Sequence, residues 1–192
     1  MEKLNSKVKE KLGEYRYNHS LKVIETALIL AKSYDIPKEK IELAALLHDY
    51  AKEFTLEEAR ELLLEHEVFI DDESIVDIDL IHGELASLIA NTDFGIEDKD
   101  ILNAIRYHTT GRERMSVLEK IIYLADVTEP TRDFNNLQQI REMAHIDLDK
   151  AVLMAMDSTI NHLIRNGSLI HVNTIKARNY IIIEISKRLI DE

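Results

Sequence analysis

The stretch ALLHDYAK (residues 45–52) decides how this chain is read. It closes a longer segment, IELAALLHDYAK (41–52), in which Ile41, Ala44, Ala45 and His48 fall three, four and seven residues apart. In a helix such positions share one face. The face is apolar until its last member, where His48 is followed by Asp49 and, a turn later, by Lys52. An imidazole and a carboxylate on the buried stripe of a helix are costly unless something pairs with them.

The same anomaly recurs along the chain. His19 shares a stripe with Val23, Ala27 and Leu30; His82 precedes Leu85, Ala86 and Ile89; His108 follows Ile101, Ala104 and Ile105; Asp126 follows Leu118, Ile122 and Tyr123. One inward histidine reads as a core residue satisfied by a backbone carbonyl. Several helices each turning a His or Asp inward read as one shared site. His19, His48, Asp49, His82, His108 and Asp126 offer only nitrogen and oxygen donors, a set suited to iron, manganese, cobalt or zinc. Six donors exceed the need of a structural zinc and suffice for two metals with positions left for water and substrate.

Composition narrows the frame. With no cysteine, disulfides and thiolate chemistry are excluded, so a metal must be held by His and carboxylates. Five Gly and two Pro in 192 residues favour an all-α protein, and the length suits one domain. The periodicity predicts helices near 2–12, 17–34, 38–52, 56–65, 80–92, 98–109, 115–128, 135–143, 147–165 and 174–190. Thr55 with Glu58 and Ser116 with Glu119 have the spacing of capping boxes, and Asn173 or Thr174 is expected to cap the last helix. Helix 147–165, with Met154, Met156 and Leu163, packs either internally or across a homodimer; both stay open. The N-terminus lacks a signal-peptide core and no apolar run spans a bilayer, so a cytoplasmic protein with no membrane association is expected. A net charge of −12 argues against DNA or RNA as partners; an anion would be bound through local cations or metals.

The order H…HD…H…H…D resembles the HD superfamily of metal-dependent phosphohydrolases. RYNHS (16–20), LAALLHDYAK (43–52), IHGELAS (81–87), NAIRYHTTG (103–111), LEKIIYLADVTEPTRDF (118–134) and IHVNTIKARN (170–179) resemble, more closely, the YqeK family of bacterial symmetrical dinucleoside tetraphosphatases. Val172 after His171, where the family pattern has Pro, and the 66–79 region are the departures. The resemblance implies a single-domain HD-domain helical bundle over 1–192 with a C-terminal helical extension. It implies one metal on His19, His48, Asp49 and Asp126, and a second on His82, His108 and the other oxygen of Asp49. It implies two divalent or trivalent ions, iron first and manganese or cobalt as alternatives. It further implies that metal-activated hydroxide cleaves diadenosine tetraphosphate into two molecules of ADP.

On that reading Asp49, Asp126 and Lys52 are the catalytic candidates. Arg16, one turn before His19, Lys52, one turn after His48, and Arg132, in the EPTRDF loop, are candidate phosphate contacts; Thr109, Thr110 and Gly111 follow His108 and are candidates for phosphate or ribose. Arg106 and Arg112 are secondary candidates, Asp133 is a candidate partner for Arg132, and His171 is a candidate supporting or base-contact residue. Aromatic residues near the motifs (Tyr107, Tyr123, Phe134) are expected mainly to pack. His66, His145 and His162 are expected on the surface. The alternatives are an HD phosphohydrolase for another nucleotide, an oxygenase on the same fold, and a nucleotide-sensing module with a vestigial metal site.

Overall fold

Two reciprocal caps show how local sequence sets the helices. Thr55 Oγ1 accepts from the Glu58 amide at 3.2 Å while the Glu58 carboxylate accepts from the Thr55 amide at 2.7 Å. Ser116 and Glu119 repeat the arrangement at 3.1 and 3.4 Å. Each box satisfies helix amides that would otherwise lack partners.

The computed structural model describes residues 2–191. Among these it contains nine α-helices and no strand: α1 (Glu2–Leu30), α2 (Lys38–Leu47), α3 (Leu56–Glu65), α4 (Ile78–Thr92), α5 (Lys99–Arg106), α6 (Val117–Thr128), α7 (Leu137–Ala144), α8 (Leu148–Asn166) and α9 (Val172–Asp191). Short 3-10 turns span Ala31–Ser33 and Ser74–Val76.

Several boundaries differ from the sequence expectation. The helices expected at 2–12 and 17–34 are one element, α1, kinked where Gly13 takes φ +69°, and α1 gives way to a 3-10 turn after Leu30. The helix expected at 38–52 stops at Leu47, and the one expected at 98–109 stops at Arg106. The cause is local. His48 Nδ1 donates to Ala45 O and His108 Nδ1 to Ile105 O, both at 2.7 Å. Those carbonyls would serve the Asp49 and Thr109 amides if the helices continued. Beyond Leu47 the backbone closes tighter turns, with Tyr50 N to Leu47 O at 3.0 Å and Lys52 N to Asp49 O at 2.9 Å. The last helix is capped by His171, whose Nδ1 accepts from the Asn173 amide at 3.0 Å, rather than by Asn173 or Thr174.

Helix α1 packs on α2 and α6, and α5 packs on α4, α6 and α2. The buried side chains of Ala44, Ala45, Leu47, Ile81, Leu85, Ile105, Ile121, Ile122 and Leu124 hold these five helices together. Burial of each large aliphatic side chain contributes roughly 1.5–3 kcal/mol. At Gly83, next to His82, a Cβ atom would stand 2.6 Å from the Arg106 carbonyl oxygen, so α4 approaches the end of α5 closely there. Helix α8 packs on α6, α7 and α9. Its Met156 is fully buried and lies against Gly111, so that part of α8 packs internally. No helix of the described residues is long and apolar enough to cross a membrane.

Candidate metal centre

The six expected donors converge. Helix α1 carries His19, the turn after α2 carries His48 and Asp49, α4 carries His82, the turn after α5 carries His108, and α6 carries Asp126. Asp49 lies between two groups. Its Oδ2 faces His48 Nε2 at 3.7 Å and His19 Nε2 at 3.9 Å; its Oδ1 faces His82 Nε2 at 3.2 Å and His108 Nε2 at 3.6 Å. Asp126 Oδ1 joins the first group, 3.0 Å from His19 Nε2 and 4.0 Å from His48 Nε2. His48, His82 and His108 are buried, and Asp49 is 8% exposed.

Backbone contacts set the histidine tautomers. His48, His82 and His108 place Nδ1 against Ala45 O, Ile78 O and Ile105 O at 2.7, 3.1 and 2.7 Å. Each Nδ1 therefore carries the proton, and each Nε2 turns a lone pair into the centre. Two consequences favour cation binding. His48 Nε2 is buried with no hydrogen-bond partner among the described residues. His82 Nε2 and His108 Nε2 face each other at 3.0 Å, so their lone pairs repel unless a cation or proton is shared. The donor set is therefore chemically suited to metal ions held by imidazole and carboxylate.

The electrostatics agree. Burial pushes His48 down to about 4 and also lowers His82, so both remain neutral donors at ordinary pH. Burial alone would raise the Asp49 carboxyl, but the imidazoles of His48, His108 and His82 around it outweigh burial and hold it well below the usual carboxylate range. Burial would likewise raise Asp126; its contact with His19, the nearby His48 imidazole and the Arg132 charge hold it well below the usual carboxylate range. Burial opposes the proton on His19, but contact with Asp126 and the charge of Asp49 prevail and raise it.

The three expected phosphate cations surround the centre, each paired with a carboxylate. Arg16 bonds to Glu53 through Nε and places Nη1 3.8 Å from Asp49 Oδ2. Lys52 Nζ pairs with Asp79 Oδ1 at 2.8 Å. Arg132 Nη2 lies 2.5 Å from Asp126 Oδ1; its partners are Asp126 and Glu129 rather than Asp133. Thr109 Oγ1 lies 3.1 Å from His108 Nε2, within the centre. Thr110 is buried and donates to Gly111 O at 3.0 Å. Gly111 packs under Met156, a packing role rather than an open contact surface. Arg106 pairs with Glu84, and Arg112 forks onto Glu119 at 2.6 and 2.7 Å. His66, His145 and His162 are exposed, as expected.

Two features escaped the sequence reading. Buried Glu129 sits 3.4 Å from His19 Nδ1. His171 Nε2 contacts Asp71 Oδ2 at 3.0 Å and Ser74 Oγ at 3.2 Å, tying the start of α9 to the loop before α4. A cavity of about 90 Å³ opens beside this tie, lined by Phe69, Asp71, Glu84, Tyr107, Thr110 and His171 among others. Only the spacing of TEPTR after Asp126 could have pointed to Glu129, and nothing local pointed to the Asp71–His171 tie.

A buried imidazole–carboxylate centre built on HD and flanked by helices has a known family. The chain belongs to the HD-domain family, whose model matches residues 16–131, the interval that holds all six donors. More particularly, it is 41% identical to a Halalkalibacterium halodurans protein named "Bis(5'-nucleosyl)-tetraphosphatase, symmetrical", over 92% of this chain and 94% of that one. A Staphylococcus aureus protein of the same name is 39% identical over 94% of this chain and 93% of its own. The crystal structure of a Clostridium acetobutylicum protein, described as a predicted HD superfamily hydrolase involved in NAD metabolism, matches with a TM-score of 0.91 and 44% identity. The match covers 95% of this chain and 97% of that one.

Proposed function

We propose that this chain hydrolyses dinucleoside tetraphosphates symmetrically, adding water across the central anhydride of diadenosine tetraphosphate to release two ADP. The observation that carries the reading is the division of one carboxylate, Asp49, between two sets of histidines. Asp49 would bridge two metal ions, one on His19, His48 and Asp126 and one on His82 and His108. Iron is the first choice, with manganese and cobalt as alternatives. When bound, the pair supplies Lewis-acid charge and lowers the pKa of water.

The chain's own residues do the rest. Arg16 and Arg132 lie on the Asp49 Oδ2 side, and the Lys52 charge is felt by His82 on the other. A polyphosphate competes with Glu53, Asp79 and Asp126 for these cations, so substrate binding and cation release are one step. Thr109 is placed to donate to a phosphate oxygen beside His108. At the mouth of the cavity bounded by Phe69, Tyr107 and His171, exposed Phe69 is free to stack on a base. Because His171 caps α9 and lines this cavity, the C-terminal extension takes part in the site and the chain works as one unit. A nucleotide substrate fits the cytoplasm, and the acidic charge fits a partner that is a small molecule rather than a nucleic acid.

The Clostridium acetobutylicum relative is described as involved in NAD metabolism, so NAD is the control substrate. The test is a substrate panel. Metal-loaded and chelator-stripped protein would be offered diadenosine tetraphosphate, NAD, and nucleoside mono- and triphosphates. Metal-dependent turnover confined to the tetraphosphate is expected. Faster turnover of NAD or of a mononucleotide overturns the substrate assignment, and binding without turnover favours a sensing module.

A further inference from the structure

Three of the four histidines in the centre rest Nδ1 on a backbone carbonyl, at Ala45, Ile78 and Ile105. His19 does not. Its Nδ1 faces the carboxylate of Glu129, with Oε1 at 3.4 Å. Glu129 is 1% exposed, and a carboxylate is seldom buried that far without a task. The chain holds it in place from several sides. The Thr131 amide donates to Oε2 at 2.8 Å, and the Thr131 hydroxyl donates to Oε1. Arg141 donates to the main-chain oxygens of Thr128 and Glu129 at 3.0 and 2.9 Å, pinning the turn that carries the side chain.

We propose that Glu129 is a positioning residue for His19, and that it makes the His19–His48–Asp126 half of the centre the tighter of the two metal sites. The proposal rests on the dinuclear reading of the centre, but not on the identity of the substrate. A carboxylate behind a ligating imidazole fixes Nδ1–H, aims Nε2 and raises the basicity of the ligand, and its loss typically costs about 10–100-fold in metal affinity. Among the described residues the other half has no such support: behind His82 and His108 stand neutral carbonyls. The asymmetry is built into the chain, since both halves share Asp49 but Asp126 and Glu129 belong to one.

The experiment is a titration of metal-free protein with Co²⁺ against a competing chelator, followed by visible absorption. Wild type should bind two ions with separable affinities. Glu129→Gln should weaken the tighter step about 10–100-fold and leave the weaker step in place. Glu129→Asp, with its charge kept on a shorter arm, should fall between the two. In a His19→Ala background, Glu129→Gln should have no further effect on affinity, which a general packing role would not produce. Thermal melting of each metal-free variant separates loss of fold from loss of positioning. Unchanged affinities in folded Glu129→Gln, or equal weakening of both steps, overturns the proposal. Binding of a single ion by wild type overturns the dinuclear reading itself, an outcome distinct from the first two.

Discussion

Arg132 grips Asp126 at two points: its Nη2 donates to Oδ1 at 2.5 Å and its Nε donates to the main-chain oxygen at 3.0 Å. A candidate metal-ligating carboxylate and a candidate phosphate cation thus neutralise each other. The same pairing recurs with Lys52 on Asp79 and Arg16 on Glu53. On the proposed function, the candidate phosphate cations are held ready on acids.

Arg132→Ala and Lys52→Ala should therefore weaken substrate use without emptying the centre. Losing one charge-assisted hydrogen bond of about 1.5–3 kcal/mol corresponds to a drop in kcat/KM of roughly 10–150-fold. Steady-state kinetics beside metal analysis checks this. Loss of metal in either variant would recast that residue as a support for the ligands.

Asp49→Ala should remove the shared carboxylate and with it hydrolysis and at least one metal. The effect should exceed that of any single histidine variant, because Asp49 lies within 3.2–3.9 Å of all four imidazoles. Metal content after gel filtration, with turnover, is the measurement. Full metal content and full activity in Asp49→Ala would rule out the bridging assignment.

Gly83→Ala should separate α4 from α5. The added Cβ meets a backbone oxygen at 2.6 Å, which cannot swing aside as a flexible side chain would. The His82–His108 spacing of 3.0 Å depends on that approach. The variant should lose the metal of that half preferentially and be destabilised by about 1–3 kcal/mol, read by chemical unfolding and metal analysis.

The stability of the metal-free protein should fall with pH in a set window. Folded His48 titrates near 4 because it is buried, whereas an unfolded histidine titrates near 6.5. Its neutral form thus contributes stability above about 6.5 that is lost as pH falls toward 4, because the unfolded chain takes the proton first. The full loss is about 3–4 kcal/mol, reached below pH 4. His19 runs the opposite way, being raised, so the informative quantity is the difference between wild type and His48→Gln. Denaturant midpoints at pH 7 and pH 4.5 should drop less in the variant.

Much of this centre was legible because five helices carry one kind of mismatch, a donor on an apolar stripe, and helical spacing alone brings such residues to one side. His19, His82 and Asp126 lie inside helices as that spacing implies. His48 and His108 lie just past helix ends, which the sequence hid. No Gly or Pro marks either stop, and what ends each helix is a ring nitrogen taking a carbonyl from the backbone. The gap expected between residues 12 and 17 contains Gly13, where α1 kinks, yet α1 resumes beyond it because both halves pack on one core. Glu129 and the Asp71–His171 tie join residues 100 or more positions apart, and no periodicity records such contacts.

The most direct test of the central claim is product analysis. The protein would be purified without oxygen, loaded with iron and incubated with diadenosine tetraphosphate, and the nucleotides separated by anion exchange. ADP as the sole product is the expected result. ATP with AMP, or intact substrate in the presence of fully metal-loaded protein, would contradict symmetric hydrolysis at the Asp49-bridged centre.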